Sequence, residues 1–216
     1  MPNVIARGDD GAPGINGVPG TTPLQAANGE NGVDHWTGDD PPKRGEDGVN
    51  GPRGANGTSG QDGRDGSDIL IQVQNFIAGV DVDTRGGSGG KGGDGGAGAG
   101  GQQGGNGGIA ADSGDSPARG GNGGVGGDGG NGGTGGNGGK GGNITVLAAQ
   151  ITTGTLNGNA EGGPGGIGGS AGAGGQGGTG GAGSPNGSNA GPGNNGVPGI
   201  NGAKGRDGQI VIQQTS

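Results

Sequence analysis

The stretch GGNGGVGGDGGNGGTGGNGGKGG, residues 120–142, repeats two glycines and one variable residue without an exception. This period matches the polyproline-II helix, which has about three residues per turn and rises about 3.1 Å per residue. Every third residue then forms one column along the axis, and a column that faces a neighbouring backbone has to be glycine. The stretch therefore predicts a glycine helix with neighbours on two sides.

The same period of three appears in other parts of the chain. The first, second and sixth runs read G-X-Y, whereas the third, fourth and fifth read G-G-X. Substitutions at glycine positions, such as Ala99 and Ala171, do not shift the frame. We predict glycine helices at 8–20, 45–68, 86–108, 120–143, 162–183 and 193–208.

Apolar stretches at 69–84, 144–156 and 209–214 separate or follow the glycine runs. Their β-branched content predicts strands, with turns at Ala78-Gly79 and Thr153-Gly154, and 3–6 adds a short strand. If successive runs are antiparallel, the strands gather at one end and the loops at the other. Unpaired strand edges could join chains. The predicted assembly residues are Ile69, Ile71, Val73, Ile144, Val146, Ile210 and Ile212.

These patterns predict a fold class: a single domain, 1–216, of six antiparallel polyglycine II/polyproline-II helices with short β-strands at one end and almost no α-helix. The cross-section stays open between a triangle and two layers. A collagen triple helix is disfavoured because the G-G-X runs lack the imino acids that stiffen it. Disorder is disfavoured by the preserved phase and by the strand segments.

Composition excludes several classes of protein. Glycine supplies 73 of 216 residues, and hydrophobic residues supply 23%, which excludes an ordinary apolar core. The net charge of -8, with scattered cations, disfavours nucleic acid and anionic membranes as partners. No apolar run approaches about 18 residues, so neither a Sec signal nor membrane insertion is predicted.

Catalysis, metals and cofactors are not expected. The single His35 has no nucleophile partner in a recognisable motif. The chain has no cysteine, and the aspartates Asp94 and Asp128 stand in a G-G-D-G-G pattern that lacks the hydrophobic position of calcium-binding nonapeptides. We therefore expect a protein that is not an enzyme.

The triplets at 120–142 and GAPGINGVPG at 11–20 resemble those of polyglycine-II bundle proteins. These include the adhesins at the tail-fibre tips of T-even-like phages, springtail antifreeze proteins and repeat regions of mycobacterial surface proteins. The phage resemblance implies a rigid scaffold whose distal loops contact a host receptor. The chain departs from those adhesins because it lacks an aromatic-rich attachment domain.

The loop at 21–44 is the longest stretch outside the triplets, and long loops are often functional. Its candidate ligand-binding residues are His35, Trp36, Asp39, Asp40, Lys43 and Arg44. Alternatively, Trp36 plugs the open end of the bundle. The loops at 109–119 and 184–192 complete the predicted contact end.

We expect a non-enzymatic structural or adhesive protein that binds a host-surface receptor or polysaccharide, located outside the cell, on a cell surface or in a virion tail fibre. A first alternative is a structural subunit of a fibre or layer that forms homo-oligomers through its strand end. A second alternative is ice binding through the small residues along 162–183, as the resemblance to springtail proteins implies.

Overall fold

The computed structural model describes residues 3–77, 79–112 and 116–215. Six strands form two three-stranded parallel sheets, ordered β1-β3-β5 and β2-β4-β6. The predicted turn residue Ala78 lies outside the described residues. The strands are β1 (Asn3–Ile5), β2 (Ile69–Phe76), β3 (Val80–Asp83), β4 (Ile144–Ile151), β5 (Leu156–Asn159) and β6 (Ile210–Gln214).

The predicted six-helix polyglycine bundle is wrong. The described residues contain no helix, and their regular secondary structure consists of the two parallel sheets. The physical reason lies in the backbone donors of the glycine runs. Gly123 donates to Ser188 and Gly124 to Gln102, so successive donors bond to two different neighbouring segments, and the glycine runs are extended segments that depend on one another.

The glycine runs are extended segments held side by side by these bonds. We name them segments A (8–32), B (45–68), C (86–109), D (120–143), E (162–183) and F (187–208). Their donors follow the sequence period, because every third residue donates to the same neighbour. Together the segments carry the backbone from the sheets to the opposite end of the molecule.

Segments A, C and E form one layer, and segments B, D and F form the other. Within a layer the acceptor number rises with the donor number: Gly8 donates to Arg85, and Gly11 to Ser88. Neighbours in a layer are therefore parallel. Between layers the order reverses, as when Gly130 donates to Gly96 while Gly133 donates to Gly93. The layers are therefore antiparallel to each other.

Each layer continues into one sheet. Strands β1, β3 and β5 precede segments A, C and E, while β2, β4 and β6 follow segments B, D and F. The hydrogen-bond register of segments B and D continues unchanged into β2 and β4, since Gly66 donates to Lys140 and Ile69 donates to Asn143. The parallel order of the strands therefore follows from the parallel order of the segments that lead to them.

The apolar core lies between the two sheets. On β4 the alternate residues Ile144, Val146 and Ala148 are buried, as expected for a strand with one face covered. Phe76 and Val82 pack into the same region from β2 and β3. The core is small, so it secures only the strand end of the molecule.

Glycine is required where neighbouring segments touch, both within a layer and between the layers. Gly133 donates its N–H to the carbonyl oxygen of Gly93 at 2.8 Å, and a Cβ at Gly133 would collide with the backbone carbonyl of Thr58. Gly191 differs, because nothing lies within 4 Å of the position where its Cβ would be. Gly133 is therefore required by close backbone contact, whereas Gly191 is a glycine without such a contact.

We expect Gly133→Ala to destabilise the fold by about 3 kcal/mol, because the clash is with main chain that cannot move aside cheaply. The matched control Gly191→Ala should leave the free energy of unfolding unchanged or raise it by up to about 1 kcal/mol, because its Cβ meets no atom and alanine loses less conformational entropy on folding. Thermal unfolding followed by circular dichroism measures both, with a drop of about 6–12 °C in Tm expected for Gly133→Ala. Equal Tm values for the two variants would contradict the packing described here.

Candidate functional site

The predicted loop at 21–44 is much shorter in the structure. Ala26, Gly29 and Gly32 donate to Gln103, Asn106 and Ile109 in the same register as the start of segment A. This spacing places 21–32 within segment A. The sequence contains a signal for this extension, because positions 23, 26, 29 and 32 continue the period of three. The signal is weak because Pro23 and Ala26 stand at two of the glycine positions.

A hairpin at 33–42 therefore joins segments A and B. Val33 and Asp40 exchange backbone hydrogen bonds of 3.0 and 2.8 Å, which fix its base. Gly38 has a φ of 139°, a left-handed value that favours glycine. Trp36 stands fully exposed beside this turn, so its alternative role as a plug of the open end is wrong.

The six predicted ligand-binding residues divide into two groups. His35, Trp36, Asp39 and Asp40 lie on the hairpin, where the His35 Nε2 atom is 3.3 Å from the Asp40 carboxylate. Lys43 and Arg44 lie between the hairpin and segment B, and each pairs with a carboxylate, Lys43 with Glu30 and Arg44 with Asp47.

The ion pairs and close carboxyl groups perturb two nearby pKa values. The hydrogen bond to Glu30 and the charge of that carboxylate raise the pKa of Lys43. On the hairpin, a hydrogen bond with Asp39 and its like charge raise the pKa of Asp34. Lys43 and Asp34 are both exposed, so these charges belong to the surface around the hairpin and not to a buried site.

The other connections meet at this end too. The predicted loop at 109–119 includes 113–115, which lie outside the described residues. The predicted loop at 184–192 is shorter, since Gly187 already donates to Gly181 and Ala190 to Gly178. Ser184 donates to Ala118, which joins two of the connections directly. We call this part of the molecule the loop end.

A groove of about 500 Å³ lies beside the hairpin on the loop end. Four asparagines line it, together with three apolar residues that supply a hydrophobic strip. We call it the amide groove, and its lining consists of Asn28, Asn31, Asn106 and Asn186, with Ile109, Pro117, Ala182 and the glycines Gly29, Gly107 and Gly183.

Asparagine and aspartate side chains tie the segments together within each layer. Their Oδ1 atoms accept backbone N–H groups of the neighbouring segment: Asn56 accepts from Asn131, and Asn131 accepts from Val197. The same arrangement repeats in the other layer, where Asn16 accepts from Asp94 and Asp94 accepts from Ser170. We call these rows the side-chain ladders.

The side-chain ladders are not among the features predicted from the sequence. Asparagine and aspartate recur in the frame of three, which is a visible signal. Their partners, however, lie 75 positions away in segments B and D, as in the pair Asp62 and Asn137. The partners can be identified only when the order of segments in each layer is known.

The predicted assembly residues have different environments at the strand end. Ile144 and Val146 are buried and belong to the core, so they offer no surface to another chain. Ile69 and Ile71 are half-buried against the same core. Ile210 and Ile212 lie on the edge strand β6 and remain 46% exposed. Val73 is 37% exposed on β2, the other edge.

A charged cluster lies where segment C begins. Arg7 and Arg85 both donate hydrogen bonds to the Asp83 carboxylate, at 2.7 and 2.9 Å. Burial alone would raise the pKa of Asp83, but the side chains of Arg85 and Arg7 and the Arg85 backbone N–H outweigh it and lower the pKa to about 2. The cluster joins β1 and β3 to the glycine segments.

In the part of the chain that the structure describes, no group of three or more His, Cys, Asp or Glu side chains is placed to hold a metal ion. Within the same residues, no helix has the length and apolar character to cross a membrane.

No protein-family model and no curated protein matches the chain. Among solved structures it is similar to a springtail antifreeze protein from Granisotoma rainieri, described as a nine polyproline type II helical bundle. The sequences are 30% identical, the alignment covers 78% of this chain and 93% of that chain, and the TM-score is 0.12. At that TM-score the likeness carries no argument. The resemblance to phage adhesins finds no support in these comparisons.

We expect Asp83→Asn to lower the free energy of unfolding by about 2 kcal/mol at pH 7, since the carboxylate pairs with two guanidinium groups. The folded-state pKa of about 2 lies below the ordinary value of 3.8, so this stabilisation is complete above pH 4 and disappears as pH falls to 2. Urea unfolding at pH 7 and pH 2 measures it. A difference between parent and variant that is the same at both pH values would contradict this role.

Proposed function

We propose that the protein is a non-enzymatic scaffold that holds its loop end for contact with a receptor or polysaccharide on a surface outside the cell. The observation that carries the proposal is the fully exposed Trp36 at the tip of the hairpin. It is the single tryptophan in a chain whose aromatic content is 1%. A fully exposed indole ring offers a large apolar surface with a polar N–H, which suits contact with another molecule.

The energetics favour a binding role for this side chain. An aromatic side chain buries about 200 Å² on contact, which corresponds to about 5 kcal/mol of hydrophobic stabilisation before the costs of association. Tryptophan is also enriched among the residues that dominate binding energy at protein interfaces. The hairpin exposes Trp36, so a partner that covers the side chain would gain this hydrophobic stabilisation.

The body of the protein supports the same role. Segments A and B, which carry the hairpin, are bonded to segments C and D over their lengths, as in the bonds from Gly29 to Asn106 and from Gly48 to Asn122. A base that is fixed in this way reduces the ordering cost of binding. Beside the hairpin, Lys43 and Arg44 are exposed and paired with Glu30 and Asp47, which leaves an open surface for recognition.

We expect Trp36→Ala to weaken binding to the cognate surface at least tenfold while leaving Tm unchanged, because the side chain touches no core. Ile15→Ala, which removes another exposed apolar side chain from the middle of segment A, serves as the control. Biolayer interferometry against immobilised cell envelopes and polysaccharides measures both. Replacing the whole hairpin with a tight turn extends the test, and equal binding by all these variants would sink the proposal.

A second candidate function is a structural subunit that assembles through its strand end. The specific observation in its favour is β6, an edge strand whose core-facing Ile210 and Ile212 remain 46% exposed. Edge strands offer unpaired backbone groups to another chain, and exposed apolar side chains strengthen such pairing. The occupant in this case is a second copy of the chain.

Sedimentation velocity tests the second candidate. We expect concentrated parent protein to form dimers or larger assemblies and Ile212→Lys to remain a monomer, because a charge on the edge strand opposes pairing. The control Ile200→Lys lies on segment F, away from the sheets, and should assemble as the parent does. A parent protein that stays monomeric at high concentration would exclude this function.

A further inference from the structure

The amide groove is more than a gap between connections, because its asparagines are held in defined orientations. We propose that it binds a neutral, hydroxyl-bearing glycan through the side-chain amide groups of Asn28, Asn31, Asn106 and Asn186. The inference rests on the proposed function and names the class of ligand that the loop end would contact.

Backbone hydrogen bonds fix one atom of each carboxamide. The Oδ1 atom of Asn28 accepts the N–H of Asn106 at 2.9 Å, and that of Asn31 accepts the N–H of Ile109 at 3.0 Å. The Oδ1 atom of Asn106 in turn accepts from Ala182 at 2.9 Å.

Asn186 completes the set, since its Oδ1 atom accepts the N–H of Gly183 at 3.0 Å. A carboxamide whose oxygen is occupied offers its Nδ2 group, which carries two N–H donors. The four side chains therefore present oriented donors along one groove. Because the backbone already holds them, little side-chain freedom remains to be lost on binding.

The chemistry of the lining selects the ligand. A row of N–H donors requires acceptors, and sugar hydroxyl and ring oxygens supply them. Among the described residues, no lysine or arginine lines the groove, and the neighbouring Lys43 is paired with Glu30 at 2.6 Å. With a net charge of -8 on the chain, an anionic ligand would be repelled. Ile109, 65% exposed, and Pro117 provide apolar surface for the C–H face of a sugar ring.

The shape fits a chain of sugars. The volume of about 500 Å³ lies within the range of small-ligand sites. Asn31 also lines a second groove of about 320 Å³, which reaches Val33 and Asp40 at the base of the hairpin. A glycan that occupied both grooves would run from the four amides toward the hairpin.

Substituting asparagine by aspartate isolates the proposed donors. Aspartate already caps the neighbouring backbone elsewhere, as Asp62 accepts from Asn137. The changes Asn31→Asp and Asn186→Asp therefore keep the backbone hydrogen bond but replace each Nδ2 donor with a carboxylate oxygen. The same change at Asn56 is the matched control. Asn56 lies far from the groove, in the layer of segments B, D and F, where its Oδ1 atom accepts the N–H of Asn131.

The experiment is a titration followed by NMR of the asparagine side-chain amides. The probes are isomaltotriose and N,N′,N″-triacetylchitotriose, which are neutral, and trigalacturonate, which is acidic. We expect a neutral probe to shift the Nδ2 signals of the four groove asparagines. The double variant Asn31→Asp/Asn186→Asp should lose affinity at least fivefold, while Asn56→Asp binds as the parent does and all three proteins keep the same Tm.

Three results would overturn the inference: no groove signal moves with either neutral probe, only the acidic trimer binds, or the double variant binds as tightly as the parent. The failure of the proposed function is distinguishable from these. If Trp36→Ala abolishes surface binding and the groove variants do not weaken it, the function stands and this inference falls. If a neutral probe shifts the groove signals but no loop-end change affects surface binding, the inference stands and the function falls.

Discussion

Close contact between backbones is the constraint on which the rest of this structure depends. Because glycine has no Cβ, Gly126 and Gly127 can donate to different neighbouring segments, Gly126 to Gly191 and Gly127 to Ala99. Each glycine costs about 0.5 to 1 kcal/mol of conformational entropy relative to alanine. The regular bonds in two directions offset that cost and satisfy the buried backbone without a large apolar core.

Because backbone hydrogen bonds hold the segments together, the side chains can have other roles. In the glycine segments, asparagine and aspartate bridge neighbours within a layer through the side-chain ladders. At the strand end, a small core around Ile144 and Phe76 joins the two sheets. At the loop end, the same asparagine chemistry leaves Nδ2 donors at the amide groove. One side chain type thus both stabilises the layers and lines the candidate site.

Part of this organisation could be predicted from the sequence. The apolar stretches at 69–84, 144–156 and 209–214 contain β2, β3, β4 and β6, because β-branched residues at alternating positions cover one face of a sheet, whereas β5 overlaps the second stretch only at Leu156. The helix prediction was wrong, because a period of three specifies which residues face a neighbour but does not by itself specify a helix. Pro23 and Ala26 concealed the end of segment A, since each replaces glycine in the frame. The rarity of His35 and Trp36 singles them out in the sequence as candidate residues of a loop, whereas the groove depends on the distant pairs Asn28–Asn106 and Asn31–Ile109.

Amide hydrogen exchange measured by NMR tests the central claim most directly. If lateral backbone bonds hold the glycine segments, both glycines of a triplet in segment D, such as Gly129 and Gly130, exchange as slowly as the amides of β4. Their acceptors, Asn194 and Gly96, lie in different segments, so both N–H groups are protected by separate contacts. Slow exchange confined to the strands, with the glycine amides exchanging at the rate of an unfolded chain, would contradict the account.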